Sequence, residues 1–368
     1  MTSVEERQAI GEIVDSLIRV PVYTGSSLTK RPVILDLYDA ARSKFKKPLT
    51  FLATDRLLSA IQEERSIIIA TGFIVPPWFA AETDGPVGAV TLAKSLNTGF
   101  DITPVIVTDN ILVEGISRLC ETAGLRVFDF QRAVALPRRI AVEGFPVDVE
   151  EAKKEASHLL DRMKPAALIS IERASMNEVG QYHSGVGMNI SKYTAKIDYL
   201  FDEARRRGIL TIGIGDGGNE IGMGCIKEAV KQYIPTAIKC GCPCGAGTHA
   251  NTETDVLVAT AVSNWGAYGI EACLAHAISK MELLHDADTE KEILEAAGNL
   301  GFIDPATGFG GSSVDHIPKK IHIAIVEILR FLIKSRLEES LYIQKYRAYS
   351  IDGRKTVQDR IDHWEEYM

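Results

Sequence analysis

Asp216, Asn219 and Glu220 stand inside the run Gly213-Ile214-Gly215-Asp216-Gly217-Gly218-Asn219-Glu220-Ile221-Gly222-Met223-Gly224, which places six glycines among twelve residues. Two carboxylates and an amide held on glycine-rich backbone can exchange protons, hold an amine or ligate a metal. Glycine lets backbone approach a ligand closely and takes a positive φ without strain. Ile209-Leu210-Thr211-Ile212 ahead of the run reads as a buried strand, and a helical pattern starts near Gly222. A strand, a glycine turn and a helix start present free N–H groups, those of Gly217 and Gly218 among them, to an anion. The run is not a lysine phosphate loop, because no Gly-Lys-Ser/Thr follows. It matches the dinucleotide fingerprint poorly, because its acidic and amide side chains sit within the loop.

Other segments carry further candidates. Glu82-Thr83-Asp84-Gly85-Pro86 precedes a helical pattern. Glu82 and Asp84 can face a cleft, or Thr83 or Asp84 can simply cap the helix, with Pro86 in its first turn. Glu172-Arg173 opens a long polar loop that continues to His183. Arg173 suits a two-pronged pairing with a substrate carboxylate, and His183 suits proton transfer near neutral pH. The competing reading is surface charge and a loop histidine. Asn264 follows another apolar run and opens a helix, so it binds a substrate or caps that helix. Asp304 to Ser313 is a loop that closes a site or joins two helices. Cys240, Cys242 and Cys244, with His249 near, are ligand types suited to zinc, although their spacing is not a paired Cys-x-x-Cys. Reduced thiols in a tight turn are the ordinary alternative.

The elements that position these groups follow from hydrophobic pattern. Short apolar runs at 66–71, 103–108, 125–130, 166–171, 209–214 and 256–262 read as buried strands. Helical patterns lie near 88–96, 111–123, 149–163, 195–207 and 267–284. The alternation predicts an α/β fold, a mostly parallel sheet with helices on both faces. Gly72, Asp109, Glu172, Asp216 and Asn264 each follow a strand, so the chemistry is expected at the carboxyl ends of the strands. One α/β domain over 1–368 is expected. It begins with an amphipathic helix over about 4–20, stopped by Pro21 and followed by the loop Thr24-Gly25-Ser26-Ser27. It ends with a helical tail from about 318 to 368.

Composition narrows the function. With 368 residues, 46% hydrophobic, 24% charged, the chain reads as globular. A net charge of -8 argues against nucleic acid as a partner. No apolar run is long enough to span a bilayer, so no membrane partner is expected. The polar N-terminus is neither a secretory signal nor a transit peptide, and the unevenly spread cysteines do not form a disulfide framework, so a reducing cytoplasm is expected. Self-association into a homo-oligomer is left open.

Glu82-Thr83-Asp84-Gly85-Pro86, the run from Gly215 to Gly224 and Val262-Ser263-Asn264-Trp265-Gly266 resemble the D-glutamate cyclase family, specifically the C-terminal catalytic module of its mitochondrial form and free-standing microbial relatives. The resemblance spans roughly 66–282. It implies a hydro-lyase with an acidic amino acid as its small-molecule substrate, converting D-glutamate to 5-oxo-D-proline with loss of water. Such chemistry needs a base for the amine, an acid for the leaving oxygen and stabilisation of the tetrahedral intermediate. Asp216 and Glu220 are expected to share the acid and base roles. Asn219 and the Gly217 and Gly218 N–H groups are expected at the oxyanion, and Arg173 and Asn264 at the α-carboxylate. Glu82, Thr83, Asp84, Gly85, Glu172 and His183 complete the expected binding set. A divalent metal on Asp216 or Glu220 would do the same electrostatic work. A non-catalytic amino-acid or nucleotide binding module, and a metal-dependent phosphate-handling enzyme using Asp216 and Glu82, are the alternatives.

Overall fold

The computed structural model describes residues 1–22, 32–61, 66–311, 313–338, 362, 363 and 365. The Thr24-Gly25-Ser26-Ser27 loop and most of the tail beyond 338 lie outside the described residues.

Seven strands form the main sheet: β1 Ser66–Thr71, β2 Thr103–Asp109, β3 Arg126–Val127, β4 Arg139–Phe145, β5 Ala167–Ile171, β6 Leu210–Gly215 and β7 Val256–Ala259. Their order is β3-β4-β2-β1-β5-β6-β7, and every pairing is parallel. The protein is therefore α/β, as the alternating pattern predicts. Side chains alternate between the faces. Ile67 and Ile69 enter one core, with the helices Val4–Ile18, Pro86–Phe100 and Ser263–Ala277, while Ile68 and Ala70 enter a second, with Val149–Met163 and Asp198–Arg206. A sheet buried on both faces leaves no polar face on its strands, which is why they read as continuous apolar runs.

Several boundaries depart from expectation. The run at 125–130 pairs only over Arg126–Val127, and Phe130–Ala133 turns helical after Asp129 caps it, its side chain accepting from the Arg132 N–H. The 256–262 run leaves the sheet at Ala259, because helix Ser263–Ala277 follows almost at once. Strand β4 was not expected. Its Arg139 is turned to Asp101 in a 2.6 Å ion pair and its Glu143 to Arg162, so its polar residues hide the strand pattern. Three helices, Ile34–Phe45, Leu49–Ala60 and Ala287–Asn299, were not expected either.

The chain runs outward from β1 to β2 and on to the edge strand β3, returns to β4 between β3 and β2, then crosses to β5, β6 and β7 on the other side. The switch falls between β1 and β5, where open α/β sheets place their ligands. Register pairs Thr71 with Ile171 and Ile171 with Ile214, so the loops after β1, β5 and β6 start level with one another.

Behind this edge a buried ionic group fixes the helix Ser263–Ala277. His285 lies between Glu271 Oε2, 2.7 Å from Nδ1, and Glu290 Oε2, 3.1 Å from Nε2, and Tyr268 Oη donates to Glu290 at 2.9 Å. Burial alone would lower the imidazole, but Glu271 and then Glu290 lift it from 6.5 to about 9. Its stabilising contribution is therefore complete below pH 6.5 and is lost as pH rises through about 9. Replacing His285→Gln strands two buried carboxylates and is expected to cost about 3–5 kcal/mol in urea unfolding near neutral pH. The gap between the parent and variant proteins should narrow above pH 9. A gap independent of pH would show that the imidazole is not charged.

Candidate active site

Two helices at the switch point exchange caps. The carboxylate of Asp84, which precedes helix Pro86–Phe100, accepts from the N–H groups of Ser263 and Asn264, both at 2.8 Å, at the start of helix Ser263–Ala277. Asn264 Oδ1 accepts in return from the N–H groups of Gly85 at 3.0 Å and Gly88 at 2.7 Å, at the start of the first helix. Each side chain therefore supplies the acceptor that the other helix's start needs. Gly85 sits at φ +91, and a Cβ there would come within 2.7 Å of Glu172 Cβ and 2.8 Å of Thr71 Oγ1, so this close approach needs glycine. Thr83 donates through Oγ1 to the Ile303 carbonyl at 3.1 Å and anchors the strand-like stretch beside the C-terminal segment.

The loops after β5 and β6 pair with each other. Ile221 N donates to Arg173 O at 2.9 Å, and Ser175 N to Asn219 O at 2.8 Å. This lacing sets Glu172 beside the glycine run. Glu172 has a positive φ of 45°, an uncommon backbone for a non-glycine residue at the end of a strand. Its Oε2 accepts from Ser263 Oγ at 2.7 Å. Glu220 folds back into its own loop, accepting from Gly217 N at 2.6 Å and Gly218 N at 2.7 Å. The loop is tight: Gly218 has φ +90, and a Cβ on it would lie 2.5 Å from Val230.

The result is a cluster of carboxyl groups around one cavity of about 180 Å³. Glu82, Glu172, Asp216, Glu220 and Asp315 line it with Gly217 and Asn219, and Phe73, Ile74 and Trp78 form part of its apolar side. Asp84 lies just behind, with a carboxylate oxygen within 4.8 Å of oxygens on Asp216 and Asp315. Asp304 stands beside them, accepting from the His316 N–H at 2.9 Å. No lysine or arginine is among the described residues that line the cavity.

Burial and mutual repulsion act together on this cluster. Burial raises Asp216 well above the usual carboxylate range, with the charges of Glu172 and Asp315 adding to it. Burial likewise raises Glu82, Glu172 and Asp315, each with neighbouring carboxylates adding to the effect. Burial raises Glu220 too, against the opposing effect of the N–H donors of its glycine loop, which favour the anion. Asp84 is held at about 6, burial outweighing the N–H groups of Asn264, Ser263 and Gly85. Asp216 Oδ2 is buried and has no hydrogen-bond partner among the described residues.

Not every expected residue joins the cluster. The two-pronged pairing foreseen for Arg173 is made to Asp109 instead. Its remaining N–H bonds go to the carbonyls of Gly72 and Ala195, so the guanidinium ties the ends of β1, β2 and β5 and does not line the cavity. Asn264 and Thr83 are likewise engaged by backbone, as described. The Gly217 and Gly218 N–H groups expected for an oxyanion hold Glu220. Asn219 lines the cavity while its Nδ2 donates to the His183 carbonyl at 2.9 Å. His183 turns its ring away, towards the cysteines. Asp315, missed by sequence reasoning, enters from the turn between the short strands Ser313–Val314 and Ile317–Pro318. Asp304 was visible only as the start of a loop. Nothing in its local pattern distinguishes Asp315 from a surface turn residue.

Residues 38–330 match the family described as D-glutamate cyclase-like, C-terminal. The chain belongs to this family. It is 33% identical over 235 residues to the human protein named D-glutamate cyclase, mitochondrial, an alignment covering 61% of this chain and 35% of that protein. The family match takes in the glycine run, both exchanged helix caps and the late-arriving Asp304 and Asp315. Among the described residues no helix is long and apolar enough to cross a membrane.

The electrostatics of the carboxyl cluster have a consequence for stability. A carboxyl whose folded pKa is raised stabilises the fold at low pH, and that contribution is lost as pH rises through the folded value. For Asp84 the window runs from 3.8 to about 6, and the other raised carboxyls extend it upward. The melting temperature of chelator-treated protein is therefore expected to fall as pH rises through about 6, and divalent cation should reverse the fall. A melting temperature indifferent to both would contradict the charge arrangement.

Proposed function

We propose that this chain is an enzyme that closes D-glutamate into 5-oxo-D-proline with release of water, a carbon–oxygen lyase reaction. The observation that carries the reading is a cavity walled by carboxyl groups, without a lysine or arginine among the described residues of its lining, in a chain of the D-glutamate cyclase-like family. Such a site attracts the ammonium of an amino acid and repels its carboxylates. A substrate with two carboxylates therefore calls for a bound cation.

The residues fit a divalent metal. Asp84, Asp216 and Asp315 bring carboxylate oxygens within 4.8 Å of one another, and so do Glu172, Asp216 and Glu220, with Asp216 common to both groups. The orphaned Asp216 Oδ2 lacks the partner that a cation would supply. An all-oxygen donor set suits a hard ion such as magnesium or manganese. When bound, such an ion would neutralise the substrate carboxylates and polarise the one under attack.

The proton balance of the reaction is closed. The substrate ammonium must shed two protons to become the lactam N–H, and the γ-carboxylate oxygen must gain two to leave as water. One N–Cδ bond forms and one Cδ–O bond breaks. The protein therefore needs only to move protons from nitrogen to oxygen. Two neighbouring carboxyls with different proton affinities can do so. Asp216, its proton affinity raised by burial and by the charges of Glu172 and Asp315, suits the acid in a cluster whose other carboxylates would hold the cation. Glu220, with its anion favoured by the Gly217 and Gly218 N–H groups, suits the base. Glu82 and Glu172 extend the negative wall that receives the ammonium.

Purified protein incubated with D-glutamate and divalent cation should yield 5-oxo-D-proline on chiral chromatography, with less from L-glutamate and none after chelation. Glu220→Gln and Asp216→Asn should each lower kcat by roughly 10²–10⁴-fold with an unchanged circular dichroism spectrum. Turnover near the parent rate in either variant would remove that residue from its role. Absence of product from either isomer, in folded protein with metal, would move the substrate to another amine-bearing acid.

A further inference from the structure

A second group of metal-binding side chains lies outside the carboxylate cavity. The turn Cys240-Gly241-Cys242-Pro243-Cys244 gathers three thiols, with Sγ separations of 3.5 Å (Cys240 to Cys242), 3.3 Å (Cys240 to Cys244) and 3.2 Å (Cys242 to Cys244). His183, far away in sequence, brings Nε2 to 3.2 Å from Cys242 Sγ and 3.5 Å from Cys244 Sγ. All four ligand atoms lie within 4.8 Å of one another. The sulfurs are too far apart for disulfides, which need about 2.05 Å, and all three cysteines are free. A tetrahedron with zinc–sulfur arms of about 2.3 Å has edges of about 3.8 Å, only slightly wider than these separations. His249, the histidine near in sequence, is not part of the group, since its Nδ1 faces the Ala237 carbonyl at 2.9 Å.

We propose that Cys240, Cys242, Cys244 and His183 bind one zinc ion in a closed, structural site. Three soft sulfurs and an imidazole select zinc over the hard ions that suit the carboxylates, and four protein ligands leave no open position for chemistry. Two amides flank the sulfurs as donors: Asn177 Nδ2 lies 3.8 Å from Cys244 Sγ, and Asn189 Nδ2 lies 3.7 Å from Cys242 Sγ. Such partners stabilise thiolate ligands. The ion would join the cysteine turn to the loop carrying His183. That loop continues into Ser184, Gly185 and Met188, which line the carboxylate cavity, and the His183 carbonyl receives the Asn219 amide. Zinc here would set one wall of the cavity without touching the reacting atoms.

This inference stands independently of the substrate assigned above. The test uses the full chain, purified without chelator under reducing conditions. Elemental analysis should find one equivalent of zinc. Cobalt loaded into zinc-depleted protein should give sulfur-to-cobalt charge-transfer bands and the intense visible absorption of a tetrahedral ion, neither of which carboxylates produce. In Cys244→Ser both should weaken, and in Asn177→Ala zinc affinity should drop by roughly 10- to 100-fold. Should the serine variant misfold, the cobalt spectrum of the parent protein decides alone. Purified protein free of zinc, whose cobalt spectrum shows no thiolate bands, would overturn the proposal.

Discussion

The exchange of caps between Asp84 and Asn264 is the contact on which the site depends. Two helices from distant parts of the chain start at the same edge of the sheet, and each needs acceptors for its first N–H groups. Asp84 serves Ser263 and Asn264, and Asn264 serves Gly85 and Gly88. A mismatch at either end would leave buried donors unpaired in both helices, so the spacing between the helices is narrowly set. The same exchange puts a carboxylate at a positive helix end. This lets Asp84 sit at about 6 among other acids, while Asp216, without such donors, rises further.

A second constraint is the pair of Arg173 and Asp109. It is fully buried and reaches the carbonyls of Gly72 and Ala195, so the carboxyl ends of three strands share one cation. This explains how so many negative groups can gather nearby without the sheet edge opening. The arginine holds the frame and leaves the cavity itself uncompensated. The field of the clustered carboxylates favours positive charge in the cavity, and Asp216 is common to both groups of close carboxylate oxygens.

The two clusters of ligand-type side chains differ in chemistry and in placement. The carboxylates offer hard oxygen at the switch point of the sheet, where a substrate can reach them. The thiols and His183 offer soft donors one layer out, against the loop that shapes the cavity wall. Asn219 belongs to both settings, lining the cavity with one end of its amide and holding the His183 carbonyl with the other.

Much of this was legible in the chain. Continuous apolar runs disclosed four strands of the buried parallel sheet closely, and the helical pattern over 149–163 is the helix Val149–Met163. The acids at 172, 216 and 220 stood out because they followed a strand or sat among glycines, and those at 82 and 84 because they preceded a helical pattern, which is local information. Strand β4 was hidden by Arg139 and Glu143, whose partners Asp101 and Arg162 are visible only once folded. The ends to which polar side chains are put were not legible at all. Arg173 and Asn264 look like ligand-binding groups by type, yet Asp109 and distant carbonyls claim the first and the start of a distant helix claims the second. Asp315 and His183 look like turn and loop residues, yet the first completes the acidic wall and the second meets three sulfurs. Local sequence determines which elements form and which chemistries are present. Tertiary structure alone decides which groups are neutralised by a partner and which are left facing a cavity, because charge pairing and hydrogen bonding depend on distances between atoms far apart in the chain.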